Sequence, residues 1–149
     1  MPHHGRDIEV MPTADGLWVA GRAGRARLSK IGPGVARVDV DGHAYAEFAE
    51  HLIATIDEQL GSCGHIFLGL DAEAMRSYDA RFRYLWTEWI KRNRDSIIGI
   101  HMLFGSSLAE SAAVVINAVT GEDKVETCNN REQFEDRLAA EVERELTCA

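Results

Sequence analysis

Short apolar runs alternate with amphipathic stretches along most of this chain, and this alternation strongly limits the possible folds. After two strand-like segments, the apolar residues switch between helical spacing and the continuous runs of buried strands. Such alternation is typical of a sheet whose strands are joined by crossover helices. We therefore expect an α/β domain with a mixed, mainly parallel sheet of four to five strands, about four helices largely on one side, and the order ββαβαβαβα.

The predicted strands begin with an antiparallel pair, Leu17–Leu28 and Val35–Val40, joined by a turn at Pro33. Three later apolar runs supply the remaining strands: His65–Leu70, Ile97–Phe104 and Val125–Thr127. Residues 1–15 are polar and aperiodic, which predicts a flexible N-terminal arm. Residues 16–149 are then expected to form a single domain, because no repeat or linker divides them.

Apolar residues at helical spacing predict the helices. The predicted helices carry their stripes over Tyr45–Leu60, Phe82–Ile90, Leu108–Val119 and Phe134–Leu146. Asp79 is a suitable N-cap for the second helix, and Ser107 with Glu110 matches a capping box at the third. The second helix carries an aromatic stripe that fits a core face. We expect Leu52, Leu85, Trp86 and Trp89 to be mostly buried.

Composition excludes several classes of function. The 149 residues carry a net charge of −8, which disfavours nucleic-acid binding. No run is long and apolar enough to span a membrane, and the first residues lack the apolar region of a signal peptide. The three cysteines, Cys63, Cys128 and Cys148, are odd in number and widely spaced, so we expect a cytoplasmic protein with Cys148 as an exposed free thiol.

The element order and the spacing of two aspartates resemble the STAS domain (sulphate transporter and anti-sigma factor antagonist). In that family an Asp ends the third strand, and a second Asp follows eight positions later, as Asp71 and Asp79 do here. The segment SSLAESAAVVINAVTGEDKVETCNNREQFEDRL also resembles the family's helix, short strand and final helix. The likeness covers residues 17–146 and is greatest to divergent bacterial STAS-like proteins with a Tyr-Asp, here Tyr78-Asp79, before a Trp-rich helix.

The sequence departs from the family at the residue after the second Asp. Anti-sigma factor antagonists carry a phosphorylatable Ser there, whereas this chain has Ala80 followed by Arg81. The family's kinase-driven switch therefore cannot operate at this residue, although Ser77, just before the helix, could be modified instead. The resemblance implies a non-catalytic interaction domain in a bacterial regulatory or partner-switching system, with a constitutive contact.

The resemblance also places the partner contact around the second helix. The predicted partner-binding face comprises Asp79, Ala80, Arg81, Tyr84 and Glu88. Residues 76–95 contain six basic and three acidic side chains, so an acidic protein surface is the expected partner. A homodimer is a further expectation, and a solvated helix face without a partner is the alternative interpretation.

A small-molecule binder of an anionic or apolar ligand is the alternative function. Its predicted loops contain Asp71, Ser77, Gly105, Ser106 and Ser107, the last three at a helix N-terminus that could bind an anion. An enzyme is the third alternative, with Asp71 and Asp79 as a carboxylate pair. No Ser/His/Asp set is visible in the sequence, and His65 and His101 lack a third ligand, so we expect no metal and no cofactor.

Overall fold

The computed structural model of the chain describes residues 7–121 and 124–148. The strands are β1 (Glu9–Thr13), β2 (Gly16–Ala20), β3 (Gly24–Gly32), β4 (Val35–Ala44), β5 (Ile66–Tyr78), β6 (Ile97–Phe104) and β7 (Val125–Cys128). The helices are α1 (Ala46–Cys63), α2 (Ala80–Arg92), α3 (Ser107–Thr120) and α4 (Arg131–Cys148). The predicted α/β class is confirmed, with helices and strands alternating from β4 onwards.

The strands form one mixed sheet in which each strand lies beside its neighbours in sequence, in the order β1-β2-β3-β4-β5-β6-β7. The pairs from β1 to β4 are antiparallel, and the pairs from β4 to β7 are parallel. Among the described residues the sheet therefore has seven strands instead of four to five, with equal numbers of parallel and antiparallel pairs instead of a parallel majority.

Two differences account for the additional strands. The predicted strand Leu17–Leu28 is broken by a turn in which Gly21 N–H donates to the Gly24 carbonyl oxygen at 2.8 Å. A Cβ on Gly24 would lie 2.1 Å from the His43 carbonyl oxygen, so only glycine fits this close approach. Part of the predicted flexible arm, Glu9–Thr13, is instead the strand β1 paired with β2. Residues 1–6 of that arm lie outside the described residues.

The crossover helices α1, α2 and α3 pack on one face of the sheet, in one large apolar cluster with β2 to β7. Each crossover connection adds the next parallel strand at the same edge of the sheet. Because such connections are right-handed, their helices must all lie on the same face of the sheet. The final helix α4 follows β7 without a further crossover and covers the opposite face. There its Phe134 and Leu138 pack with Val35, Phe67 and Leu103.

The aromatic stripe of α2 lies in the core, as predicted. Trp86 and Trp89 are 5% and 0% exposed, and their rings meet edge to face with centroids 5.8 Å apart. Leu52 of α1 is fully buried and Leu85 is half-buried. The Trp89 indole N–H donates to Asp57 Oδ1 at 2.8 Å, which fastens α2 to α1.

Candidate functional site

The carboxyl-terminal ends of the parallel strands β4 and β5 bring a histidine, a serine and an aspartate together. His43 lies opposite Ser77 in the strand register, and Asp79 follows as the N-cap residue of α2. His43 Nδ1 is 2.7 Å from Ser77 Oγ, and His43 Nε2 is 2.9 Å from Asp79 Oδ1. Sequence analysis found no such set, and His43 was not among its candidate residues.

The surroundings of His43 fix its ring. Gly42 has a φ of +79°, and a Cβ there would lie 2.4 Å from the Ala23 carbonyl oxygen, so glycine is required at this bend. The Tyr45 ring meets the imidazole edge to face at 4.7 Å. The Tyr45 hydroxyl oxygen in turn accepts a hydrogen bond from the Ala23 N–H at 2.9 Å. The backbone of His43 is therefore fixed against the turn, and its imidazole contacts a fixed aromatic ring.

Asp79 occupies the predicted N-cap position of α2, but its carboxylate makes no side-chain cap bond to that helix. Instead Asp79 Oδ2 accepts a hydrogen bond from the Ala46 N–H at 2.8 Å, and Ala46 is the first residue of α1. One carboxylate thus binds the N-terminus of α1 and the imidazole of His43. An Asp at the start of one helix can satisfy the free N–H of another that begins beside it.

The face of α2 that carries the predicted partner site is partly exposed. Ala80, Arg81 and Tyr84 are exposed, and the Tyr84 side chain is 53% accessible. Glu88 is half-buried, and its carboxylate is 3.5 Å from Lys91 Nζ. The helix contains four basic residues and one acidic residue, with no acidic residue in its first turn. The helix therefore has an excess of positive charge, and Arg81 and the Tyr84 ring are exposed on it.

Asp71 lies in a separate cluster on the α4 side of the sheet. It does not end its strand as predicted, because β5 continues to Tyr78. The residue is 7% exposed, and its carboxylate accepts hydrogen bonds from Arg37 at 3.2 Å and from Arg131 at 2.8 Å. Arg131 also bonds Glu73 at 2.6 Å, so the cluster ties β4 and β5 to the first residue of α4.

Neighbouring charges shift the pKa values in this cluster. Burial raises the pKa of Asp39, the nearby carboxylate of Asp71 adds to the rise, and the Arg37 guanidinium opposes it. The same guanidinium hydrogen-bonds Glu135 and lowers the pKa of that carboxyl group. Asp71 is thus in an ion network with Asp39, while Asp79 bonds His43. The proposed Asp71–Asp79 carboxylate pair does not form.

The predicted ligand loop at the start of α3 is exposed, but its helix cap differs from the prediction. Ser106, not Ser107, is the N-cap residue, and its side chain makes no cap bond, so the predicted capping box of Ser107 and Glu110 is wrong. A Cβ on Gly105 would lie 2.6 Å from the Glu73 carbonyl oxygen. The concave surface beside Ser106 and Ser107 contains one basic side chain, Arg76, with Asp41 and Glu73, so its charge is mixed.

An apolar cavity of about 40 Å³ lies between the sheet, α2 and α3. Its lining includes Met75, Tyr78, Trp86 and Ile116. An engineered apolar cavity of about 150 Å³ admits benzene, so this space is too small for a comparable ring. The cavity in its present shape therefore does not favour the small-molecule alternative.

Two further histidines, His65 and His101, make contacts that explain them as structural residues. His65 Nε2 is 2.6 Å from Glu145 Oε1, and the buried His101 ring stacks on Phe134 at 6.0 Å. Across residues 7–121 and 124–148, no group of three or more His, Cys, Asp or Glu could hold a metal ion. Cys63 and Cys128 are free and half-buried, whereas the predicted exposed thiol of Cys148 lies outside the described side chains. No helix within the described ranges is long and apolar enough to cross a membrane.

Comparison with known proteins supports the fold. Neither family models nor curated proteins match the sequence. A search of solved structures finds an uncharacterized DUF3478-family protein with a SpoIIAA-like fold from Shewanella loihica PV-4. The two share 13% sequence identity and a TM-score of 0.55, over 93% of this chain and 97% of that one. The chain is thus an α/β domain with a SpoIIAA-like fold, which confirms the STAS-like fold that the sequence predicted.

Proposed function

We propose that this chain is a protein-interaction domain that binds an acidic partner surface through the exposed face of α2. The setting that the STAS resemblance implies is a bacterial regulatory or partner-switching system in the cytoplasm. Ala80 has no hydroxyl group, so the contact would not be released by phosphorylation at that position. The SpoIIAA-like fold supports this proposal at the level of architecture, and the surface of α2 supports it at the level of residues.

The observation that carries the proposal is the exposed Tyr84 beside Arg81 on a basic helix. Tyr and Arg are enriched in protein interfaces, where they contribute much of the binding energy. The helix has four basic residues against one acidic residue, although the whole chain has a net charge of −8. A local reversal of charge of this kind steers partners of opposite sign to one patch.

The N-terminus of α2 strengthens the positive patch. A helix N-terminus carries partial positive charge, which acidic residues in the first turn commonly offset. Here the first turn has no acidic residue, and Arg81 adds a positive charge to it. The Asp79 carboxylate bonds the N-terminus of α1 instead of capping α2. The start of α2 is therefore an unfavourable place for Arg81 in the isolated domain and a favourable one beside an acidic partner.

Added negative charge at the start of α2 tests the proposal. Arg81→Glu and Ala80→Asp should abolish capture of the partner, while Lys30→Glu, a matched charge reversal at an exposed residue of β3, should leave it intact. Cross-linking from the source cell with quantitative mass spectrometry would identify proteins lost with the first two variants and retained with the third. Melting temperatures should stay close to the wild-type value, because the substituted positions are exposed.

The proposal fails if every captured protein responds equally to Arg81→Glu and Lys30→Glu. It also fails if a partner binds all variants with unchanged affinity. Tyr84→Ala separates charge from contact area, since it removes the exposed ring without changing the charge. Loss of binding in this variant as well would show that the ring lies inside the interface and not at its rim.

A further inference from the structure

We propose that Ser77 is a nucleophile activated by His43, and that this site takes acyl groups from small activated esters. The proposal goes beyond the partner-binding function, because it depends on the side-chain geometry at the ends of β4 and β5. Ser77 belonged to the predicted ligand loop, and the structure places its side chain beside His43, which also contacts Asp79.

The three side chains have the mutual geometry of a nucleophile, a general base and an orienting carboxylate. Ser77 Oγ lies 2.7 Å from His43 Nδ1, and Asp79 Oδ1 lies 2.9 Å from His43 Nε2. A carboxylate accepts hydrogen bonds, so it holds the imidazole proton on Nε2. Nδ1 then presents its lone pair to the serine hydroxyl, which is the arrangement that activates a weak nucleophile.

The ring nitrogens are exchanged relative to the familiar serine hydrolase arrangement, in which serine meets Nε2 and aspartate meets Nδ1. The chemistry requires one nitrogen with a lone pair facing the hydroxyl and the other nitrogen bonded to an acceptor. Both requirements are met here. Such a site is defined by the roles of its members and not by their order in the chain.

The site is rigid and still accessible. Ser77 is exposed, while the His43 and Asp79 side chains are 23% and 19% accessible. The Ala46 N–H at the start of α1 bonds Asp79 Oδ2 and fixes the carboxylate. Tyr45 fixes the imidazole from the side. A reagent can therefore reach the hydroxyl oxygen, while the base and its partner stay in place.

The reaction consists of two acyl-transfer steps. Ser77 Oγ forms a bond to the ester carbonyl carbon as its proton moves to His43 Nδ1. The carbon–oxygen bond to the leaving group then breaks, and the leaving oxygen takes the proton from the imidazolium. Water attacks the resulting acyl-serine with His43 as base, which releases the carboxylic acid and restores the hydroxyl group.

Labelling of the purified full chain tests this site. p-Nitrophenyl acetate and a fluorophosphonate should each modify Ser77, as located by peptide mass spectrometry. Ser77→Ala should remove the label, and His43→Gln should slow it by about 100-fold, which is the low end for a general base. Ser62→Ala is the matched control, because the exposed Ser62 hydroxyl donates to the Glu58 carbonyl oxygen and has no imidazole beside it.

The pH dependence provides a readout that a purely structural contact would not give. The labelling rate of the wild-type chain should rise with the fraction of neutral imidazole, and the His43→Gln variant should lose that dependence. Circular dichroism and melting curves of each variant establish that it is folded. Asp79 is left unchanged in this test, since it also binds the N-terminus of α1.

Equal labelling of Ser77 and Ser62 would overturn the proposal. A labelling rate that His43→Gln leaves unchanged in a folded variant would overturn it as well. These measurements contain no partner protein, so their failure would leave the α2 interaction proposal standing, and failure of partner capture would leave this site standing.

Discussion

Replacing Trp89 by alanine should lower the free energy of unfolding by about 3–5 kcal/mol. Trp89 is fully buried, and its ring packs edge to face against Trp86. Its indole N–H also donates to Asp57 Oδ1 at 2.8 Å, so the substitution removes both apolar contact and a hydrogen bond between α1 and α2. Because the surrounding helices and sheet can collapse only partly onto the space, we expect a value in the upper half of this range.

A second variant separates the two contributions. Asp57→Ala keeps the Trp89 ring but removes the acceptor of its N–H. Asp57 is exposed, so water can replace much of the lost hydrogen bond, and the cost should be about 0.5–1.5 kcal/mol. The difference between the two variants then reports the packing of the ring.

Urea melts followed by far-UV circular dichroism measure both values, because tryptophan fluorescence would itself change with the substitution. The m-value should match that of the wild type, which indicates that the same surface is exposed on unfolding. A loss below about 1 kcal/mol for Trp89→Ala, or an equal loss for Asp57→Ala, would refute the packing described above.

Three further predictions concern the α4 side of the sheet. Burial, with Arg137 nearby, lowers the pKa of His101, so the unfolded chain binds a proton more readily than the folded one. The free energy of unfolding should therefore fall as the pH drops below about 6.5. Urea melts of His101→Phe should show a smaller fall over the same pH range. A Cβ on Gly69 would lie 2.4 Å from a methyl carbon of the buried Leu138, so Gly69→Ala should cost about 1–3 kcal/mol and visibly lower the melting temperature. Arg131→Ala should cost about 1–3 kcal/mol at neutral pH, because Asp71 loses a charged hydrogen-bond donor; an unchanged urea midpoint would contradict this.

The periodic parts of the fold could be predicted from the sequence. The aromatic stripe on α2 repeats at helical spacing, and it is buried as that spacing requires. The crossover helices lie on one face because handedness leaves few alternatives for strands added in order. The strand boundaries were harder to predict. β5 continues for several residues beyond its apolar run, because these residues keep pairing with β4 as far as Ala44 and Tyr78, and Asp71 therefore lies within the strand instead of at its end.

The candidate nucleophile could not be found from sequence patterns. His43 and Ser77 are separated by 34 residues and meet because β4 and β5 are parallel and shift register between Gly42 and His43. A register shift moves side chains by one position along the sheet, and no local signal in the sequence reveals it. The Ser-x-Asp spacing of Ser77 and Asp79 was the available clue, but it gains meaning only with a base from another strand. The helix-capping preference of Asp79 made the site harder to predict, because capping explained this residue without reference to His43.

The strictly sequential sheet has a consequence for synthesis. Each described strand can join the edge formed by the strand before it, so no strand must wait for a later one to be inserted between earlier partners. Neighbouring pairings of this kind shorten the chain loops that folding must close and favour rapid growth of the sheet from a growing polypeptide. The face of the sheet that α4 covers becomes buried later. Val35, Phe67 and Leu103 stay uncovered until α4 has emerged from the ribosome, because Phe134 and Leu138 are their helical partners. Late covering of one face makes the nascent sheet most vulnerable to aggregation just before the last helix docks.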